Sequence, residues 1–310
     1  MELSVVVTTL NGRERLSECL DALAEHTESE VIVVNGPSTD GTSGMVHARD
    51  DVDVLVELPE RNINVSRNAG LAVASGEIVA FVDQNHRVEP TWEASLRDGL
   101  TRVDCVTGPT RRAVRGGATG DELESRRIAG REVNYFAGGN VAVSRETALS
   151  LDGFDEYLET GGARDAAHRL AAQGRSVEWL PGMGVRGPYS ADGGERDGRQ
   201  LPSADGEYHR WAWKYRSLAY RLAKNYGLRP TVVRRIVSHT ARDGASAGRS
   251  VLGGSIAPSE WVGGGVGISK NVLRGTRDGL AARFRDRTST RNPNGLSMRR
   301  DRAVERHDWR

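Results

Sequence analysis

The chain has 310 residues, enough to bury a sizeable core as one large α/β domain with an appendage or as two domains. Its formal charge nearly cancels at +1, but residues 1–205 hold 21 Arg and Lys against 34 Asp and Glu, while residues 206–310 hold 22 against 8. No uninterrupted apolar segment is long enough to span a bilayer, the two cysteines form no metal-type cluster, and no nucleic-acid module is recognisable.

Met1-Glu2-Leu3 leads straight into the apolar run Ser4 to Leu10, so no secretory leader is expected, and a cytoplasmic protein is. That run reads as a buried strand ending in the polar loop at Asn11. Arg13 to His26 then carries Leu16, Leu20 and Leu23 at helical spacing. Glu30 to Val34 is a second buried strand, followed by Asn35-Gly36-Pro37-Ser38-Thr39-Asp40-Gly41-Thr42. Strand, helix, strand without hairpins implies a right-handed βαβ unit and a parallel sheet. Val52 to Val56 supplies a short strand and Val65 to Ala74 a short helix. The run Ile78 to Val82 is then a strand apolar on both faces that stops at Asp83-Gln84-Asn85-His86. Ligands of open α/β sheets bind at such C-terminal strand edges, which makes Asp83 a candidate contact, with a turn cap as the alternative. Cys19 in a predicted helix and Cys105 in a predicted strand are expected to be buried thiols.

No G-x-G-x-x-G follows the first strand, which argues against a dehydrogenase-type dinucleotide fold. The strand ends carry Asn11, Asn35 and Asp83 instead, a cleft suited to a nucleotide's base, ribose and diphosphate. The series Val-Thr-Thr-Leu-Asn, Val-Val-Asn-Gly-Pro-Ser-Thr-Asp-Gly-Thr, Ser66-Arg67-Asn68-Ala69-Gly70, Ala74 to Asp83 and Gly153-Phe154-Asp155-Glu156 resembles family 2 glycosyltransferases of the GT-A fold, of prokaryotic and archaeal type. The resemblance covers roughly the first 190 residues. It implies an α/β architecture, a Rossmann-like mixed sheet flanked by helices, over residues 1–200. Residues 201–310 would form a basic helical C-terminal region with a polar tail.

It also implies roles. Thr9, Asn11, Asn35 and Ser38 would border the base and ribose of a nucleotide sugar, and Arg67 the base and phosphates. Asp83 would open the D-x-D motif that holds Mn²⁺ or Mg²⁺ on the diphosphate. The second acid of that motif is Asn85 here, and the family's metal-ligating histidine falls on Arg186. Arginine binds phosphate rather than a cation, so Arg186 would offset the diphosphate charge in place of part or all of a metal. Metal-dependent and metal-independent versions both stand open at this point. The family's Glu-Asp pair, whose aspartate takes the acceptor's proton, falls on Gly162-Ala163 and is lost. Asp165 is then the first choice for general base and Glu159 the second, with Asp165 as N-cap of a helix from Ala166 to Gln173 the structural alternative. The glycine-asparagine turn Gly138-Gly139-Asn140 would lie on the acceptor side. The stretch from Thr110 to Arg131 reads as a charged loop or helix near it.

Asp205 to Tyr226 interleaves Trp211, Trp213, Tyr215 and Tyr226 with Arg210, Lys214, Arg216, Arg221 and Lys224, the pattern of a helix at a bilayer interface or of one docked on its own core. Further basic helical stretches surround the glycine-rich segment Val262 to Ile268, and the end from Arg287 reads as extended and polar. These readings converge on an enzyme that moves a sugar, most simply from UDP, to a glycan or lipid-phosphate-linked acceptor at a membrane surface. A catalytically inactive nucleotide-sugar-binding scaffold is the rival.

Overall fold

The structure, a computed structural model, describes residues 1–111, 122–187, 204–238 and 258–310; in the last two stretches side chains are described from 213 and from 266. β1 (Leu3–Thr9), α1 (Arg13–His26), β2 (Glu30–Asn35), α2 (Thr42–His47), β3 (Val54–Glu57), α3 (Ile63–Val73) and β4 (Ile78–Asp83) alternate as the sequence predicts. β4, β1, β2 and β3 lie side by side, all parallel. Alternate residues of each strand enter opposite cores, Val6, Ile32, Val34 and Phe81 on one side and Val5, Val7, Val33 and Val82 on the other. The second core is covered by Leu16, Leu20 and Leu23 of α1, the first by Val65, Ala69 and Leu71 of α3. Each strand is therefore apolar throughout because helices shield both faces. α3 begins two residues earlier than its apolar pattern suggests, since the Asn62 side chain accepts from the Asn64 N–H and caps it.

The chain continues through β5 (Arg87–Val88), α4 (Trp92–Gly99), β6 (Cys105–Thr107), β7 (Thr110–Arg111), β8 (Glu124–Ile128), β9 (Arg131–Tyr135), β10 (Asn140–Ser144), α5 (Arg145–Ser150), α6 (Gly162–Ala172), β11 (Val177–Trp179) and β12 (Val185–Arg186). β10 inserts antiparallel between β4 and β6, which makes the sheet mixed. Where a charged loop or helix is expected, the described residues form a hairpin of β8 and β9; residues 112–121 lie outside the described ones. Cys19 and Cys105 are buried free thiols, as expected.

The C-terminal region comprises α7 (Ala204–Tyr226), α8 (230–238), α9 (Pro258–Arg285) and β13 (Glu305–Asp308). The glycine-rich segment does not interrupt α9. Further along it, a Cβ on Gly275 would lie 2.2 Å from the Arg216 carbonyl oxygen and one on Gly279 2.4 Å from that of Tyr220, so α9 meets α7 backbone to backbone. The bilayer reading of the aromatic stripe is corrected here: Tyr215, Tyr220 and Tyr226 are buried within the protein, because this face of α7 completes the core beside α6. The side chains of Arg210 and Trp211 lie outside the described residues. The polar tail is not merely extended either. β13 pairs antiparallel with β3 as the eighth strand and covers an edge that would otherwise be open.

Candidate active site

Parallel pairing sets Thr9 beside Asn35 and Thr8 beside Asp83, so the C-terminal ends of β4, β1 and β2 open into one cleft. Asn11 adopts φ 49°, a left-handed turn that asparagine tolerates, and this brings its side chain back over the β2 loop. There Asn11 Oδ1 accepts from Thr39 N at 2.8 Å, Ser38 Oγ accepts from Asn11 N at 2.9 Å, and Ser38 Oγ donates to Asn35 Oδ1 at 2.7 Å. Asn35 Nδ2 in turn donates to Ser43 Oγ at 3.0 Å. The structure thus joins Asn11, Asn35 and Ser38 in one network. Thr9 reaches the next strand instead, its hydroxyl donating to Gln84 Oε1 at 2.5 Å. Gln84 also accepts from Leu10 N at 3.0 Å, so this side chain ties the β1 and β4 ends together.

Asp83 Oδ1 accepts from both the backbone and the side-chain amide of Asn85, at 2.9 and 2.6 Å. Asn85 Oδ1 accepts from Arg15 Nη1 at 2.9 Å. Substitution of the second acid therefore leaves one carboxylate, steadied by a neutral amide that an α1 arginine orients. No group of three or more His, Cys, Asp or Glu that could hold a metal occurs among the described residues. A single carboxylate fits an ion that takes most of its ligands from substrate phosphates, the habit of Mg²⁺, and would not retain one alone.

Gly138 and Gly139 stand at the centre of the cleft because no side chain fits there. A Cβ on Gly139 would lie 2.7 Å from Asp83 Cβ; one on Gly138 would lie 2.7 Å from Arg67 Nη2 and 3.0 Å from Ala163 Cβ. This turn brings Asp83, Arg67 and Ala163 together. His86, not singled out by sequence reasoning, joins them: its Nδ1 is 2.8 Å from the Gly139 carbonyl oxygen. A carbonyl only accepts, so the ring donates from Nδ1. Arg67 is buried, crosses the Phe154 ring at 5.1 Å, and forms no ion pair among the described residues; burial lowers its pKa to about 10 although the nearby Asp83 charge opposes this.

Three expectations are corrected. Asp165 does not face an acceptor and does not cap its helix. α6 starts at Gly162, with Asp165 in its first turn, fully buried. Its Oδ2 accepts from Lys224 Nζ at 2.7 Å and Arg169 Nε at 2.8 Å, and its Oδ1 from Asn225 Nδ2 at 2.9 Å. Burial favours its neutral form, but the two cations outweigh that and hold it well below the usual carboxylate range. A carboxylate so fully engaged is a structural anchor, not a base for an incoming hydroxyl. Asn140 is likewise withdrawn from the acceptor side. It is fully buried, accepting from Trp92 Nε1 at 2.9 Å and donating to the Met183 carbonyl oxygen at 2.9 Å. Lys224, read as part of a basic helix face, is fully buried between Asp155 at 2.6 Å and Asp165 at 2.7 Å. Only the carboxylates' positions in three dimensions reveal that role.

Glu159 is exposed on the loop leading into α6. Arg186 is 72% exposed and ion-paired to Glu89 at 3.1 Å; it stands in register with Arg87 of β5 and Arg111 of β7.

A mixed α/β sheet with polar ends on its parallel strands and a glycine turn over an aspartate defines a GT-A-type nucleotide-sugar fold. Residues 4–147 match the family model for glycosyl transferase family 2. Glycosyltransferase AglE of Haloferax volcanii is 27% identical over 200 residues, covering 56% of this chain and 63% of AglE. The poly(ribitol-phosphate) beta-N-acetylglucosaminyltransferase TarS of Staphylococcus aureus is 34% identical over 112 residues, covering 34% of this chain and 19% of TarS. The matches thus span less than two thirds of these relatives. Among solved structures, TarS 1–349 in complex with UDP-GlcNAc superposes with TM-score 0.58 at 18% identity, covering 92% of each chain. Mannosyltransferase PcManGT from Pyrobaculum calidifontis, in complex with GDP-Man and Mn²⁺, gives 0.52 at 18% identity over 90% of this chain and 87% of its own. At such identities the likeness establishes the fold.

Proposed function

We propose that the protein transfers a sugar from a nucleoside diphosphate, UDP by preference, to a hydroxyl of a glycan or lipid-carrier-linked acceptor, with inversion. The observation that carries this reading is the convergence of the Asn11, Asn35 and Ser38 network, Asp83 and the buried cation Arg67 on one cleft roofed by Gly138 and Gly139. The network holds the base and ribose, and Arg67 offsets diphosphate charge as the anomeric bond breaks. Asp83 would hold a divalent ion against the diphosphate, where it would neutralise the leaving group. Arg186 is exposed and tethered by one acid, so it can turn to the phosphates if that ion is dispensable. With Asp165 engaged and Ala163 in the family's base position, Glu159, exposed on the loop leading into α6, is the remaining candidate, and we assign proton removal to it.

Thermal unfolding with a panel of nucleoside diphosphates and their sugars, with Mn²⁺ and with chelator, tests the donor site. A ligand at about 100 times its Kd adds about 2.7 kcal/mol, a visible shift. Failure of every nucleotide under both conditions would remove the assignment. Ala163 also motivates a second reading, a binding subunit without catalysis. Nucleotide stabilisation combined with no turnover of any acceptor, in wild type and Glu159→Gln alike, would establish it.

We also place the protein at a membrane surface. No helix among the described residues is long and apolar enough to cross one. The outer side of α9 exposes Val266, Leu273 and Phe284 at helical spacing among Lys270, Arg274 and Arg277, a surface matched to anionic lipid. Co-sedimentation with anionic but not neutral vesicles is the expected outcome.

A further inference from the structure

Four cationic residues are buried as whole residues among the described ones: Arg67, Arg169, Arg221 and Lys224. Two face carboxylates, as buried charges must. Arg169 and Lys224 pair with Asp165, and Lys224 also with Asp155. Arg67 and Arg221 have no ion pair among the described residues. The best protein contact of Arg67 is Asn64 Oδ1 at 3.5 Å, and that of Arg221 is the Gly161 carbonyl oxygen at 3.4 Å, while Arg221 Nε has no partner at all. Burial lowers the pKa of each to about 10, so both sites disfavour the very charge they hold.

The two arginines come from different elements, α3 and α7, yet border the same turn. A Cβ on Gly161 would lie 2.2 Å from Arg221 Nη1; one on Gly162 would lie 2.1 Å from Asn64 Oδ1, the contact of Arg67; and Ala163 adjoins Arg67 across Gly138. That turn is the N-terminus of α6. Its cap residue is Gly161, which offers no side-chain bond to the first amides, so the helix presents unsatisfied N–H groups and the positive end of its dipole. The acids nearest by charge are Asp83 for Arg67 and Asp165 for Arg221, and Asp165 is already saturated by Lys224, Arg169 and Asn225.

We propose that Arg221 and the N-terminus of α6, adjoining the Arg67 that faces the donor diphosphate, form an oxyanion subsite that binds a carboxylate or phosphate group carried by the acceptor. This rests on the glycosyltransferase reading for the word acceptor, and on geometry alone for the anion. The nucleotide belongs at the ends of β1, β2 and β4, whereas Arg221 belongs to α7 and meets the turn into α6 at Gly161, two residues from Glu159. Alanine in the family's aspartate position is consistent with the same assignment: a carboxylate at residue 163 would occupy and neutralise the subsite, and its loss leaves the cations for a substrate anion.

The test is thermal unfolding of the full chain already saturated with UDP, titrated with inorganic phosphate, with methyl glucuronide and with methyl glucoside, at matched ionic strength in chloride. One of the two anions, and not the neutral glucoside, should raise the transition further, and the stronger of the two names the source of the charge. Arg221→Gln should weaken that anion by about tenfold or more while leaving the UDP shift intact, with Arg221→Lys intermediate because it keeps charge but not the fork. No anion effect beyond chloride, or an equal effect in Arg221→Gln, overturns the proposal. Loss of the UDP shift in Arg221→Gln also overturns it, since the arginine would then serve the donor. If UDP fails to bind but the Arg221-dependent anion effect persists, the subsite stands and the donor assignment falls.

Discussion

Lys224 shows how much one side chain can decide. Its ammonium is enclosed with two carboxylates, Asp155 from the loop after α5 and Asp165 from α6, and Tyr220 donates to the same Asp155 oxygen at 2.7 Å. Removing the cation leaves two buried anions facing each other. Lys224→Met is therefore expected to cost about 3–5 kcal/mol in urea unfolding, far above the value for exposed Lys270. His168 makes a second residue-scale prediction. Fully enclosed by Tyr226, whose hydroxyl lies 2.8 Å from Nδ1, and by Tyr135, it has its pKa lowered from 6.5 to about 3, chiefly by burial and then by the Arg221 charge. The unfolded chain takes up this proton near pH 6.5 and the folded one only near pH 3. Stability from this group is complete above pH 6.5 and is lost as pH falls towards 3, with a limiting slope of about 1.4 kcal/mol per pH unit. His168→Gln should flatten the pH dependence of unfolding free energy in that window.

At the scale of elements, the α7 and α9 pair depends on hydrogen-sized side chains. Gly279→Leu places a branched chain where Tyr220's carbonyl oxygen lies 2.4 Å from the first added atom. The backbone cannot yield as a flexible side chain would, so the helices must separate and the Lys224 network must open with them. The expected result is a loss of several kcal/mol, read in urea unfolding, together with faster hydrogen exchange in both helices. By contrast, Gly130 has nothing within 4 Å of an added Cβ, although its φ of 86° favours glycine. Gly130→Ala should cost about 1 kcal/mol from the backbone alone.

For the whole molecule, the C-terminal region is built into the fold rather than appended to it. Lys224, Tyr220 and Asn294 complete the shell of Asp155, and β13 pairs with β3 in the main sheet. Residues 1–200 expressed alone are expected to aggregate or unfold cooperatively at much lower denaturant than the full chain, because two buried carboxylates and one sheet edge lose their partners. Addition of a 201–310 fragment that restored the wild-type transition would be consistent with this, and a stable, monomeric 1–200 fragment would contradict it.

Local chemistry was legible in the sequence where it is repeated along the chain. Strands apolar on both faces, leucines at helical spacing in Arg13–His26 and the polar residues closing β1, β2 and β4 each reflect a periodicity or a boundary that the chain carries in one dimension. Parallel pairing then obliges Asn11, Asn35 and Asp83 to meet, whatever lies elsewhere. What the chain could not show in one dimension was the partner of each charge. Asp165 looks like a base, Asn140 an acceptor contact and Lys224 a surface cation until α7 folds back more than 50 residues later to bury all but Asn140, which Trp92 and Met183 enclose instead. Whether a charge is spent on a neighbour or left for a ligand depends on what burial brings within hydrogen-bonding distance. Only the tertiary structure makes that choice, pairing Arg169 and Lys224 with carboxylates and leaving Arg67 and Arg221 without an ion pair among the described residues.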